Sequence, residues 1–180
     1  WDPLSAAWNM SEWNEPTTLV AKRSVWRYFD QYTDLGPDWY VDIDDSTWAQ
    51  GPAELGYGDS DEATVVGSID ADPSSPGTQR NLTTYFTRTF DVADPGQFTA
   101  LALQILRDDG AVVYLNGVEI ARSNMPDGPI GYYTGARNGS ADEARFLGGA
   151  TTADDEDFTH IDAGLLVAGS NRLAVEIHQA

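Results

Sequence analysis

Arg107-Asp108-Asp109-Gly110-Ala111-Val112-Val113-Tyr114-Leu115-Asn116-Gly117 holds a carboxylate pair on a turn, a run of strand-forming residues and a hairpin signal, in that order. Asn116-Gly117 suits the two positive φ values of a type I′ turn, so Val118 to Ala121 is expected to pair back, antiparallel, on Ala111 to Leu115. Upstream, Leu101, Leu103 and Ile105 share one face of a strand whose other face carries Ala100, Ala102 and Gln104. Before that, Asp94-Pro95-Gly96 makes a turn after a further strand, in which Leu82, Thr84, Phe86, Arg88 and Phe90 alternate with Thr83, Tyr85, Thr87 and Thr89. Side-chain alternation with β-branched and aromatic residues is the signature of strand. Successive reversals predict a meander.

Counting those reversals places Arg80-Asn81, the Asp108-Asp109 turn and the loop Ser123-Asn124-Met125-Pro126 at one end of the sheet. The Asp-Pro-Gly and Asn-Gly turns fall at the other end. The acidic loop 58–81, with Asp59, Asp61, Glu62, Asp70 and Asp72, feeds the first strand and so meets the same rim. At the C-terminus, a turn around Gly169 leads into a strand with Leu173, Val175 and Ile177 inward and Ala174, Glu176 and His178 outward. Proline and glycine punctuate the chain throughout, and no segment sustains a capped helical period, so the fold class is all-β. Residues 1–19, with Trp1, Trp8 and Trp13, show no alternation and are left unassigned; residues 20–180 form the expected β-sandwich domain.

The 180-residue length suits one domain, able to bury roughly 70% of the surface its unfolded chain exposes. Ten basic against 29 acidic residues give a net charge of −19, which repels nucleic-acid phosphates and anionic lipid. That balance also describes a solvated, salt-adapted surface. Cysteine is absent, so disulfides, thiolate metal sites and a Cys nucleophile are excluded. No apolar run reaches the ~18 residues of a membrane span. With Trp1 at its start and no signal peptide, the chain reads as a module of a longer protein.

Several segments together resemble the galactose-binding-like jelly-roll modules of large secreted bacterial proteins. They are Trp26-Arg27-Tyr28-Phe29-Asp30, Asp44-Asp45-Ser46-Thr47-Trp48, Leu55-Gly56-Tyr57-Gly58-Asp59, Tyr85-Phe86-Thr87-Arg88-Thr89-Phe90, the Arg107 to Gly117 stretch and Gly169 to His178. The resemblance covers roughly residues 20 to 178 and implies an antiparallel jelly-roll sandwich. Such modules accompany polysaccharide-degrading enzymes, metallophosphoesterases and surface proteins, and similar jelly rolls form the sugar-binding domain of β-galactosidase-type glycosidases. The fold hosts sugar binders, calcium-stapled spacers and adhesins alike, so it does not name a ligand. Locally, Asp108-Asp109-Gly110 with the strand after it is similar to the acidic-pair turn of protective-antigen-type lectin domains of yeast adhesins, where neighbouring aspartates hold a Ca²⁺ that coordinates sugar hydroxyls. That likeness implies Asp108 and Asp109 as calcium ligands, with Asn124 as a further oxygen donor.

Each candidate has a plainer alternative. Paired carboxylates on a turn suit a hard cation or sugar hydroxyls, while turn aspartates also hydrogen-bond their own backbone, with Arg107 as ion-pair partner. Asp59-Ser60-Asp61-Glu62 lacks the Gly and Glu of an EF-hand loop and reads as solvated chain, as does Asp154-Asp155-Glu156-Asp157. Trp26, Trp48, Tyr85 and Phe90 read as core. Trp8, Trp13, Trp39, Tyr40, Tyr132 and Tyr133 lie outside the predicted strands, where flat rings can stack on pyranoses. Tyr132 and Tyr133 follow the Asn124 loop and are the preferred pair; two adjacent loop tyrosines also commonly divide into one packed and one exposed. Catalysis lacks parts: there is no Gly-x-Ser-x-Gly elbow, and His160 and His178 form no His-Glu-x-x-His pair. His178 reads as a partly buried hydrogen-bonding residue.

The sequence therefore leads to a non-catalytic carbohydrate-binding accessory module of a secreted bacterial protein, with a polysaccharide or glycan as partner. Its ligand-binding residues would be Arg107, Asn124, Tyr132 and Tyr133, and Ca²⁺ would sit on Asp108 and Asp109. Neither nucleic acid nor membrane insertion is expected. One rival is a structural spacer docked on a neighbouring catalytic domain of the same polypeptide, with calcium pinning loops. The other is a glycan-active enzyme using a rim carboxylate pair.

Overall fold

The computed structural model describes residues 17–57, 61–67, 81–138, 144–148 and 161–180, with only the backbone course given for 144–148. Trp1, Trp8, Trp13, Asp59, Ser60, Asp70, Asp72, Arg80, Asp154 to Asp157 and His160 lie outside the described residues. The strands are β1 (Val25–Phe29), β2 (Ala49–Pro52), β3 (Leu55–Gly56), β4 (Thr64–Val65), β5 (Thr83–Val92), β6 (Leu103–Arg107), β7 (Gly110–Leu115), β8 (Val118–Ser123), β9 (Ala144–Gly148) and β10 (Gly169–His178). They build an all-β sandwich. The main sheet has the order β2-β1-β5-β10-β7-β8, every neighbouring pair antiparallel, and β6 pairs with β9 in a second sheet. Among the described residues, the short 3-10 turns Pro95–Gln97 and Ala163–Leu165 each start on an aspartate whose side chain accepts a backbone N–H.

The hairpin forms as expected. Asn116 and Gly117 have φ of 50° and 81°, and Leu115 pairs with Val118. The predicted meander is corrected beyond that point, because β6 leaves the main sheet and β10 inserts between β5 and β7. Alternation dictates which face a residue takes but not which strand it pairs with, and long-range pairing here is decided by burial of β10 on both faces. The rim survives the correction. Thr83 pairs with His178, His178 with Gly110 and Ala111 with Ser123, so the start of β5, the Asp108-Asp109 turn and the Ser123-Asn124 corner share one end.

One face of the main sheet meets the second layer. Phe86, Val113, Leu115, Ala121 and Val175 are buried there, with Leu103 and Ile105 of β6 packed against them and Leu19, in the segment before β1, joining the cluster. On the other face, the expectation that Ala174, Glu176 and His178 point outward is corrected. Tyr85, Val112, Tyr114 and Ala174 are covered by Trp39, Trp48, Met125 and Tyr132, which arrive on segments without regular secondary structure. Glu176 and His178 belong to this covered face and are 3% and 0% exposed. Trp39 therefore belongs to the core, in place of the sugar-stacking role open to it from sequence: its ring lies 4.6 Å from that of Tyr85 and 6.5 Å from Trp48.

Asp45 holds the covering segment down. Its Oδ2 accepts from Thr87 Oγ1 at 2.5 Å and Arg172 Nη2 at 2.9 Å, while its carbonyl accepts from Arg27 Nη1 at 3.0 Å. Three strands are thereby tied to one loop aspartate. Close approach constrains Gly110 at the rim: a Cβ there would stand 2.4 Å from Met125 Sδ and 2.9 Å from Ala136 Cβ. Only hydrogen fits that space.

Candidate functional site

At the rim, the sequence-predicted residues come together, but they satisfy one another. Asp109 Oδ2 accepts the Ala180 N–H at 2.9 Å, and the Asp109 carbonyl accepts from Asn124 Nδ2 at 3.0 Å and from Arg107 Nη1. Arg107 Nε donates to Ser123 Oγ at 2.8 Å, and Gln179 Nε2 donates to the Asp108 carbonyl at 3.0 Å. Asn124, at φ 55°, also donates from Nδ2 to the Asn138 carbonyl at 2.7 Å. Burial draws the Arg107 guanidinium below its ordinary value, against the opposing pull of Asp109 and Asp108.

Calcium takes six to eight oxygens and is repelled by a resident cation. Here a guanidinium already faces the carboxylate pair, and Asn124 turns donor hydrogens, not lone pairs, toward the turn. The donor set does not fit calcium. Among the described residues no group of three or more His, Asp or Glu side chains is placed to hold a metal ion. Arg107 and Asn124 likewise spend their polar atoms on the rim itself, which makes this corner a clasp between the C-terminus and two loops.

Tyr132 and Tyr133 divide. A turn closed by Thr134 N–H to the Gly131 carbonyl, at 2.8 Å, and Gly131 N–H to Thr134 Oγ1, at 3.0 Å, points their side chains oppositely. Tyr132 is 3% exposed and its ring stands 6.5 Å from Tyr85, so the expectation that it stacks on sugar is corrected: its faces belong to the core. Tyr133 is 78% exposed and meets Tyr132 edge-on, with centroids 5.0 Å apart at 90°.

Beside this turn lies a crevice of about 10 Å³, whose lining residues include Trp39, Tyr40, Tyr85, Tyr114, Tyr132 and Glu176, with Pro37 and Ile130 among the others. Tyr40 and Tyr114 stack at 3.9 Å, 5° from parallel. Tyr114 donates its hydroxyl to Glu176 Oε1 at 2.7 Å, and Glu176 Oε2 lies 3.4 Å from His178 Nε2, within ion-pair reach but outside a hydrogen bond. Behind them, Thr83 Oγ1 donates to the Tyr132 carbonyl at 2.7 Å and stands 2.9 Å from His178 Nδ1. A carbonyl only accepts, so the Thr83 hydroxyl proton goes to Tyr132 and His178 Nδ1–H donates to Thr83. The contact between Nε2 and Oε2 is then attractive only with a proton on one of those two atoms. Sequence reasoning saw Glu176 and His178 as an outward pair at i, i+2; their spacing was readable, but their cover comes from loops without periodicity.

Burial raises three tyrosines above their ordinary value: Tyr85 and Tyr114 strongly, each with the Glu176 charge adding to the effect, and Tyr132 to about 12. The native fold therefore keeps protons that the unfolded chain releases near pH 10. Below that value these groups leave stability unchanged. Above it the unfolded state binds fewer protons, and stability should fall by about 4 kcal/mol per pH unit for the three together, until about pH 12. Circular dichroism during alkaline titration should show cooperative unfolding in that window, with these tyrosinates appearing at the same midpoint. Ionisation of all eight tyrosines before any loss of structure would contradict the burial argument.

No protein-family model matches the chain, and no curated protein matches it. Among solved structures the likeness is weak. A β-glucuronidase from an uncultured Clostridium sp. has TM-score 0.48 at 18% identity, over 87% of this chain and 21% of that one. A Bifidobacterium dentium β-glucuronidase complexed with coumarin-3-O-glucuronide has TM-score 0.48 at 14% identity, over 87% and 19%. A β-D-mannosidase from Dictyoglomus thermophilum has TM-score 0.43 at 13% identity, over 87% and 15%. The chain spans about a fifth of the length of the first two enzymes. Likeness at this level says nothing of ligand or activity.

Proposed function

We propose that this chain is a non-catalytic carbohydrate-binding accessory module whose ligand lies on the Tyr133 ring. The observation that carries the reading is the contrast within the Tyr132-Tyr133 pair. A phenol ring 78% exposed, backed by the edge of a buried neighbour and fixed in a closed turn, offers a flat apolar face with little ordering left to lose. The C–H face of a pyranose is its natural complement. A non-catalytic role is supported by the burial of Glu176 and His178, which keeps both groups out of contact with a polymer on the surface. The rim clasp needs no metal, so binding should survive a chelator. The spacer reading draws on Val41 and Val118, both exposed and adjacent at the hairpin tip. Two valines fall well short of a docking patch of a few hundred Å².

The test is a glycan array run with and without EDTA, on wild type and Tyr133→Ala. Ring stacking contributes about 0.5–1.5 kcal/mol, so the variant should bind up to about 10-fold more weakly, with its melting temperature unchanged because the ring is exposed. Capture of no glycan by the wild type, or equal capture by Tyr133→Ala, would sink the reading. Loss of capture in EDTA would return calcium to the site.

A further inference from the structure

We propose that the module takes a glycan chain, with one sugar unit on Tyr133 and a further unit of the same chain on Tyr32; this rests on the carbohydrate-binding reading above and names its substrate class, an oligomer in place of a single sugar. Topology brings the two loops together. β1 ends at Phe29, which pairs with Tyr85 near the rim end of β5, and β8 ends at Ser123, opposite Ala111 at the rim end of β7. The segment carrying Tyr32 and the segment carrying Tyr133 therefore leave the main sheet at the same end.

Their tyrosines then meet at a single ring. Tyr32 lies 6.4 Å from Tyr132, centroid to centroid, at 68°, and Tyr133 lies 5.0 Å from it at 90°. The same convergence is felt at the Tyr132 hydroxyl, which burial raises first and the neighbouring Tyr32, Tyr133 and Asp34 raise further. Tyr132 itself is closed to ligand at 3% exposure, while Tyr133 is exposed and Tyr32 partly so. The buried ring is thus a common backing for two rings that reach the surface.

Tyr32 is also held in a conformation that its side chain disfavours. Its φ is 51°, in the left-handed region, where a bulky residue is an outlier. The buried Asn81 maintains that turn: its Oδ1 accepts the Tyr32 N–H at 3.1 Å, and its Nδ2 donates to the Asp30 carbonyl. Strain of this kind, over-determined by its surroundings, is characteristic of ligand clamps. Two residues on, the exposed Asp34 accepts the Gly36 N–H at Oδ1, 2.8 Å away, and a carboxylate has further acceptor sites for sugar hydroxyls. Rings for the apolar faces of successive pyranoses and a carboxylate for their hydroxyls are complementary to a glycan chain.

Calorimetry with ladders of glucose, xylose, mannose and N-acetylglucosamine oligomers, from one unit upward, tests this. Within a ladder that binds, affinity should step up by about 3- to 10-fold once the chain reaches the second ring, the gain of one further stacking contact. Tyr32→Ala should abolish the step and leave the shortest bound oligomers at wild-type affinity, whereas Tyr133→Ala should weaken every length. Tyr32→Gly, which suits a positive φ, should act as the alanine variant does even if that variant fails to fold, and Tyr32→Trp, which keeps a ring, should retain the step. A folding defect lowers binding at all lengths, so a loss confined to longer chains separates contact from structure. Affinity independent of chain length, or a step that survives Tyr32→Ala and Tyr32→Gly, would overturn the second subsite and leave the single-ring carbohydrate reading standing. Loss at every length in both of those variants would make Tyr32 a structural residue and overturn the subsite too. Binding of no oligomer in any ladder would overturn both readings.

Discussion

Glu176→Ala should lower the unfolding free energy by about 3–5 kcal/mol, the cost of removing one partner from a buried polar pair. The substitution leaves the Tyr114 hydroxyl without its acceptor at 2.7 Å and His178 without the oxygen at 3.4 Å, both deep inside the protein. Neither group can turn to water. Glu176→Gln should behave differently. Its amide oxygen can still accept from Tyr114, and its NH₂ can donate to His178 Nε2, which is bare when His178 Nδ1–H is given to Thr83. The expected loss is then under about 1 kcal/mol, within the range of one ordinary hydrogen bond. Urea denaturation of the two variants checks the pair. A glutamine variant as unstable as the alanine one would mean that the negative charge itself holds the network, and would defeat the proton placement argued from Thr83.

Trp39→Ala should cost about 3–5 kcal/mol, as large aromatic truncations in a core do. The indole is 5% exposed and touches Tyr85, Trp48, Tyr40 and Tyr114 through ring contacts between 4.6 and 6.5 Å. Its loss does more than leave a void. Trp39 arrives on a loop, so the segment that roofs Glu176 and His178 loses its largest anchor and water gains a route to both. Hydrogen exchange should therefore rise selectively in β7 and β10 around Val112 and Glu176, while the β1–β2 pair changes less. Uniform exchange across the main sheet, or a loss under about 1 kcal/mol, would show that the aromatic cover is not structural.

The two faces of the main sheet differ in how readable they were. Phe86, Val113, Leu173 and Val175 announce an inward face by alternation, and they pack against β6 as alternation requires. On the other face Tyr85 reads as core from its type, but Ala174, Glu176 and His178 read as outward, since they alternate with the apolar Leu173, Val175 and Ile177. Their burial is due to Trp39, Trp48, Met125 and Tyr132, carried by segments with no period to detect. The Asp45 clasp is equally remote: Arg172 lies 127 residues away from it and Thr87 42. At the rim, the count of reversals brought Arg107, Asp109 and Asn124 together correctly, and only the direction of each hydrogen bond revealed a clasp between chain segments.

From sequence alone come the all-β class, the Asn116-Gly117 hairpin, the shared rim and the exclusion of cysteine chemistry. These rest on local physics: allowed φ values, side-chain alternation and composition. Tertiary structure decided that β10 separates β5 from β7, that Tyr132 turns inward while Tyr133 turns outward, and that Glu176 and His178 meet under an aromatic roof. Each of those outcomes depends on which distant segments exclude water from a surface, and water exclusion is a property of the assembled layers, not of any stretch of chain.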